Sequence, residues 1–247
     1  RVFLAGDAAH AMPPWIGQGM SAGVRDAANL CWKIAAVLRG EADESLVDSY
    51  ETERKPHVTE VTRRAVFVGR VITERRRHVA ALRNHLLRAL TRLPGVLTGG
   101  QKLYWIPDAH YDDGFFAQER QPACGWQIPQ PWVTDHTGAT GRLDDLIGGR
   151  WAVLHTGPVP AGTTGWEAIG AAVIGLASPL AAPSPGIVSD RDNELRAWMS
   201  DKNAAVVVVR PDGFVYAAAR SGLPLAPPPA TLAATVPAAT IRNGVIA

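Results

Sequence analysis

Cysteine is nearly missing: Cys31 and Cys124 are the two in 247 residues, and no CxxC pair occurs. That excludes a disulfide scaffold and a zinc-ribbon pattern, and it points to a reducing, cytoplasmic setting. The seven histidines never fall into HExxH or a comparable ligand pair, so no metal is expected. Charge imbalance is small as well. Lys and Arg number 25 against 23 Asp and Glu, a formal net charge of +2, which gives no argument for a nucleic-acid partner. The basic cluster Arg75-Arg76-Arg77-His78, with Arg63, Arg64, Arg70, Arg83 and Arg88 around it, reads as the solvated face of a helix. The apolar stretch at 168–182 is interrupted by Gly170, Gly175 and Pro179. It falls short of the roughly 20 apolar residues of a membrane span, and no membrane contact is expected. There is no internal repeat and no secretory-signal pattern.

A hydrophobic content of 47% and a charged content of 19% are those of a globular chain, long enough for one large domain or two small ones. Residues 2–5 form a short apolar run bounded by Gly6-Asp7, the pattern of a buried strand. A chain that opens with Arg1 inside such a strand reads as a fragment. From Met20, the positions Val24, Ala27, Ala28, Cys31, Ile34, Ala35 and Leu38 recur at helical spacing and are expected to face the core. Arg25, Asp26, Lys33 and Arg39 fall on the other side, and Gly40 supplies the stop. Residues 45–59 continue as helix with Pro56 as a kink or boundary. Helical patterning resumes over 61–93 and ends at Pro94-Gly95. A second unit is expected from Pro131. It has a strand at 149–155, a helix at 193–200, a buried strand at 204–210, and a turn at Pro211-Asp212-Gly213 leading into a hairpin strand at 214–218. The Ala- and Pro-rich tail from Ser221 is expected to be loosely held.

The chemistry-bearing stretch is FLAGDAAHAMPPWIGQGMSAG, residues 3–23. Gly17-x-Gly19-x-x-Ala22 matches the dinucleotide fingerprint on paper, and Glu41 lies near its acidic position. That fingerprint needs its glycines directly after the strand, whereas ten residues, 8–17, with two prolines intervene here. The Rossmann reading is therefore rejected. In its place, Asp7 at the end of the first segment can accept hydrogen bonds from polyol hydroxyls. The helix starting near Gly19 aims free N–H groups and a positive dipole end at an anion. A polyol carried by a ring that becomes anionic describes reduced flavin. A capped helix beside an ordinary turn aspartate explains the same residues about as well. His10 reads mainly as a structural histidine, with acid–base work the lesser alternative. Trp15 and Met20 either border a flat ligand or pack in the core.

RVFLAGDAAHAMPPWIGQGMSAGVRDAANLCWKIAAVLRG resembles the second flavin-binding motif of the class A flavoprotein aromatic hydroxylases, FAD-dependent monooxygenases of the para-hydroxybenzoate hydroxylase fold. SLVDSYETERKPH continues the likeness. RLDDLIGGRWAVLHTG and AAVVVVRPDGFVYA resemble the C-terminal thioredoxin-like domain of the phenol hydroxylase and 3-(3-hydroxyphenyl)propionate hydroxylase branches. PQPWVTDHTGATGRLDDLIG leans toward the latter.

The fold this implies is α/β: the C-terminal part of an FAD-binding (GR2-type) domain with long helices over 1–130, a small thioredoxin-like domain without CxxC over 131–220, and a tail over 221–247. The site residues it implies are Gly6, Asp7, Pro14, Gly17, Gln18, Gly19, Met20 and Ser21. Asp7 would bond the ribityl chain, Pro13–Ser21 would run beside the isoalloxazine, and the backbone of Gly17–Ser21 would stabilise negative charge on the reduced ring at N1; many relatives carry Asn at the position of Ser21. The implied cofactor is FAD with NADH or NADPH as co-substrate, and the implied partners are a small phenolic substrate and O₂, with homo-oligomerisation possible. The implied reaction hydroxylates a phenolic ring through a flavin C4a-hydroperoxide, with a 3-(3-hydroxyphenyl)propionate-like substrate. The family's own GxGxxG, its ribose acid and its mid-chain Asp-Gly motif have no counterpart in context here, and no catalytic base can be named. The alternatives are a truncated chain that only packs or associates, and a flavin hydroxylase of larger polycyclic aromatics.

Overall fold

The computed structural model describes residues 1–92, 108–178 and 181–232. The chain divides into two compact units, residues 1–28 with 54–108 and residues 29–53 with 109–247.

Two long helices supply the frame of the first part of the chain. Helix α1 runs Gly19–Leu38 and α2 runs Ser49–Ile72. A 3-10 turn, Glu44–Asp48, precedes α2, with Asp43 accepting from the Ser45 N–H at 2.8 Å. Pro56 lies inside α2 and does not end it, at the cost of the one i→i−4 hydrogen bond its missing N–H would have made. The expected continuous helix over 61–93 is two: α2 ends at Ile72 and α3 runs Arg77–Thr91. Arg83 reaches back across the break and donates to the Val71 carbonyl at 2.6 Å. The Pro94-Gly95 stop lies outside the described residues.

Residues 2–5 belong to no β-ladder among the described residues, which corrects the expected strand. The backbone there is extended, with Ala5 at φ −141° and ψ 154°, and then turns into a 3-10 helix at Gly6–Ala8. An extended run becomes a strand only where a neighbouring strand offers its own N–H and C=O groups. Val2 is 91% exposed.

The second unit holds a seven-stranded mixed sheet in the order β2-β1-β5-β4-β3-β6-β7. Its strands are β1 (Trp132–Thr134), β2 (Thr140–Arg142), β3 (Ala152–His155), β4 (Ala172–Leu176), β5 (Ile187–Asp190), β6 (Val206–Val209) and β7 (Val215–Ala219). β3, β4 and β5 are parallel, while β6 runs antiparallel to β3 and pairs with β7 as the expected hairpin. Short helices α4 (Leu143–Ile147), α5 (Thr163–Ala168) and α6 (Glu194–Asp201) connect them.

Strand alternation divides the core. Ala152, Leu154, Val207 and Val209 face one side with Leu195 and Met199 of α6. Val153, Val206 and Val208 face the other, with Trp151, Trp166 and Tyr216. A valine run with no polar alternation is what a sheet covered on both faces requires. Trp151 meets Tyr216 edge-on at 5.5 Å and tilts against Trp166 at 5.3 Å. The tail is held more firmly than expected as far as Leu232. Leu225 and Leu232 are buried in this second cluster, and Trp166 Nε1 donates to the Ala226 carbonyl at 2.8 Å. Large apolar side chains at those two positions outweigh the proline-rich surroundings. Residues 233–247 lie outside the described part.

The sidedness of α1 is the reverse of that expected. Asp26, Asn29, Leu30, Lys33 and Ala36 are buried, while Val24, Ala27, Ala28, Cys31 and Leu38 are exposed. The reason is electrostatic. The polar stripe finds partners of matching charge, and a buried ion that is paired and hydrogen-bonded is tolerated.

Candidate functional site

In the first unit, residues 6–18 coil over the start of α1. Gly6 comes so close to Gly23 that a Cβ on Gly23 would sit 3.3 Å from the Gly6 Cα. The Gly6 N–H donates to Asp26 Oδ2 at 2.9 Å. The same carboxylate oxygen meets His10 Nε2 at 2.6 Å, and its other oxygen accepts from Arg54 Nε at 2.7 Å. Arg54 also reaches the Ala22 carbonyl. Burial alone would raise Asp26, but the Gly6 amide, Arg54 and His10 outweigh it and hold the carboxyl below its usual range. One buried aspartate thus clamps the coil to both helices. Next to it His57 is pushed down to about 4, first by burial and then by the Arg54 charge.

With Asp26 holding the backbone, Asp7 points outward and is exposed. Pro14 opens a 3-10 turn, Pro14–Ile16, that Gly17 closes at φ +65° and ψ 23°, a left-handed conformation disfavoured for other residues. A Cβ on Gly17 would meet nothing within 4 Å, so the turn is open on that side. The first intrahelical bond of α1 runs from the Ala22 N–H to the Gln18 carbonyl at 2.9 Å. The amides of Gly19, Met20 and Ser21 therefore lie at the open, electropositive end of a 20-residue helix. Gln18, Gly19 and Ser21 are half-buried, and Met20 is 83% exposed, so its side chain is not core. Trp15 is 43% exposed and lies against α2 at Gly69, where any side chain would collide with its indole.

The second unit carries a separate charge cluster that the sequence reading missed. Arg210 donates to both Glu53 oxygens at 2.8 Å, Lys33 Nζ donates to Glu53 Oε2 at 2.9 Å, and Asn29 bonds the same oxygen. Asp212 takes the remaining face of the Arg210 guanidinium. Two positive and two negative groups balance. Burial works against the charge on Glu53, yet Arg210 and then Lys33 overcome it and hold the carboxyl at about 2. Burial dominates at Lys33 and lowers it to about 8 against the pull of Glu53. The cluster has no open face: Lys33 and Glu53 have fully buried side chains. It joins α1, the start of α2 and the β6–β7 turn within this unit. The available signal was spacing: Asp26, Asn29 and Lys33 share a helix face, and adjacent Glu53-Arg54 offers the opposite charges.

Residues 1–65 match the family described as FAD binding domain, and residues 125–225 match the family described as HcaD C-terminal domain. The 3-(3-hydroxy-phenyl)propionate/3-hydroxycinnamic acid hydroxylase of Klebsiella pneumoniae is 37% identical over 235 residues, which are 89% of this chain and 42% of that protein. The chain is related to the flavoprotein aromatic hydroxylases. Its fold agrees. The OxyS anhydrotetracycline hydroxylase from Streptomyces rimosus superposes with a TM-score of 0.64 at 27% identity, over 89% of this chain and 41% of that one. The rebeccamycin biosynthetic enzyme RebC, solved with reduced flavin, superposes with a TM-score of 0.60 at 27% identity, over 91% and 42%. The chain therefore spans about two fifths of the length of the relatives it matches. Among the described residues no group of three or more His, Cys, Asp or Glu could hold a metal ion, and no helix is long and apolar enough to cross a membrane.

Proposed function

We propose that this chain forms the flavin-ring side of an FAD- and NAD(P)H-dependent monooxygenase that hydroxylates a phenolic ring using O₂. The observation carrying this reading is the outward-facing Asp7 together with the open amide end of α1, inside a segment that matches an FAD binding domain. The residues fit the cofactor. A carboxylate free to accept hydroxyl hydrogen bonds suits a ribityl chain. A left-handed Gly17 with no neighbour within 4 Å lets a flat ring approach the backbone. Bound FAD supplies the hydride acceptance and oxygen chemistry. The protein's part is to anchor and orient it: Asp7 holds the sugar-alcohol arm, the amides of Gly19–Ser21 favour negative charge on the ring edge, and the Asp26 clamp fixes the coil that carries both. Gly6 and Pro14 set the two turns, and Gln18 and Met20 flank the ring.

The exposed face of α1, with Val24 at 63% and Leu38 at 81%, suits packing against the portion of the relatives that this chain does not span. In the second unit, β3-α5-β4 followed by the β6–β7 hairpin, in the order β4-β3-β6-β7, supports a thioredoxin-like reading. Without CxxC it acts as a packing or association module rather than a dithiol carrier.

The substrate class we favour is a small phenol with an alkyl carboxylate, as in the name of the Klebsiella relative. A protein continued to the length of the relatives, loaded with FAD, is expected to oxidise NAD(P)H faster with 3-(3-hydroxyphenyl)propionate and to release a hydroxylated product. Indifference to every small phenol, with turnover of polycyclic phenols, selects the larger-substrate alternative instead. The exposed apolar face of α1 also favours a second reading, that the 247 residues alone do not retain flavin. Mixing the chain with FAD and desalting decides it, since retained yellow colour overturns that reading.

A further inference from the structure

Helix α3 of the first unit is barely covered. Of residues 77–89, Ala80 and Arg83 are half-buried and the rest are exposed. Arg83 ties it to the end of α2, donating to the Val71 and Ile72 carbonyls. A 15-residue helix is marginal in water unless one face is packed, so a free face here calls for a partner. That face is apolar. Val79, Leu82 and Leu86 recur at helical spacing and are all exposed. Arg77, Asn84 and Arg88 fall on the opposite side.

The charge around the stripe has one sign. After Glu74 the next acidic residue is Asp108, and six arginines lie from Arg75 to Arg92. The side chains of Arg75, Arg76 and Arg77 are exposed and make no ion pair among the described residues. They stand at the N-terminus of α3, where the helix dipole is already positive and further positive charge is unfavourable. An external anion at that end would offset both. The exposed face of α1 has no such surroundings, since its helix carries Arg25 and Asp26 together.

We propose that α3 lies flat on an anionic lipid bilayer, with Val79, Leu82 and Leu86 sunk below the headgroups and Arg75, Arg76 and Arg77 on lipid phosphates. A basic amphipathic helix with a narrow apolar stripe is the pattern of an interfacial helix. The bilayer supplies both complements, an apolar layer and a plane of negative charge above it. A second copy of this chain fits the face less well. Three aliphatic side chains fall short of the roughly 1,000 Å² that a stable dimer interface buries, and the copy brings the same arginines. The expectation of no membrane contact rested on the lack of a span, and a helix lying on the surface needs none. The inference rests on α3 and is independent of the flavin reading.

The test is co-sedimentation with vesicles of phosphatidylcholine alone and of phosphatidylcholine mixed with phosphatidylglycerol. It is run on the 247-residue chain and on an FAD-loaded protein at its relatives' length. Both are expected to bind the anionic vesicles at least about tenfold more tightly than the neutral ones, and high salt is expected to remove that preference. Leu82→Gln combined with Leu86→Gln is expected to weaken binding to the anionic vesicles at least about tenfold. Replacing Arg75, Arg76 and Arg77 together by Gln is expected to remove most of the preference for anionic vesicles. Leu223→Gln, at an exposed position of the second unit, is expected to change neither. The substituted side chains are all exposed, so an unchanged unfolding midpoint checks that the variants are folded. No vesicle binding, equal binding to both kinds of vesicle, or full binding by the double leucine variant overturns the proposal. Dimerisation that the leucine variant abolishes, without vesicle binding, gives the face to a second copy and also overturns it. Binding by the 247-residue chain but not by the longer protein gives the face to the portion this chain does not span, and the proposal falls.

Discussion

The two units place their charges in opposite ways. In the second, Glu53, Lys33, Arg210 and Asp212 are sealed and satisfy one another, with no face left for a ligand. In the first, one buried pair, Asp26 with Arg54, holds a coil that leaves Asp7 exposed and the amides of Gly19, Met20 and Ser21 at the open end of α1. A closed network fixes a scaffold, since each group's partner is already present. An open one holds unmet hydrogen-bonding capacity at a fixed position, which is what recognition requires. The contrast supports the proposal that the first unit carries cofactor recognition and that the sealed cluster of the second serves stability.

The sharpest way to break this contrast is Glu53→Gln. It leaves the Asp212 carboxylate alone against both Arg210 and Lys33, an uncompensated positive charge in a buried site, and is expected to cost about 4 kcal/mol of stability. Urea unfolding followed by the fluorescence of Trp151 and Trp166 measures it. A loss under about 1 kcal/mol would mean that the cluster is not structural. Asp26→Asn is expected to cost less, about 2–3 kcal/mol, because the amide still accepts some of the hydrogen bonds. Its signature is loss of amide dispersion in residues 6–21 while the sheet resonances hold.

Acidification separates the units by order. His57 is held at about 4 against an ordinary 6.5, so the folded first unit binds fewer protons than the unfolded chain between those values. Its contribution is complete above pH 6.5 and is lost as pH falls through 4. Glu53, at about 2 against 4.5, contributes fully above pH 4.5 and is lost as pH falls through 2. Amide signals of the first unit should therefore weaken before those of the second. The reverse order would contradict the assignment of these two groups.

Legibility in the sequence followed the same division. The strands 149–155 and 204–210, the hairpin turn and the helix at 193–200 were readable because apolar runs and turn residues are local signals; β3, β6, β7 and α6 occupy those stretches. The existence of α1 was equally plain, but its orientation was not. Spacing fixes which residues share a face, and the choice of buried face depends on partners from elsewhere in the chain. Here Arg54 claimed Asp26, and Glu53 claimed Lys33 and Asn29. Residues 2–5 were misread for a related reason, since pairing is non-local. Gly6, Asp7 and Gly17 stood out by residue type, whereas the Asp26 clamp required knowing that His10 folds back onto α1.

The central claim is that the coil at residues 6–18 holds FAD through Asp7 and the amide end of α1. Titrating FAD into the protein at its relatives' length, with and without Asp7→Ala, tests it most directly through quenching of flavin fluorescence. Because Asp7 is exposed, the substitution should leave the unfolding midpoint unchanged. The account predicts a loss of affinity worth about 1–3 kcal/mol. Flavin affinity equal to that of the unsubstituted protein would contradict it.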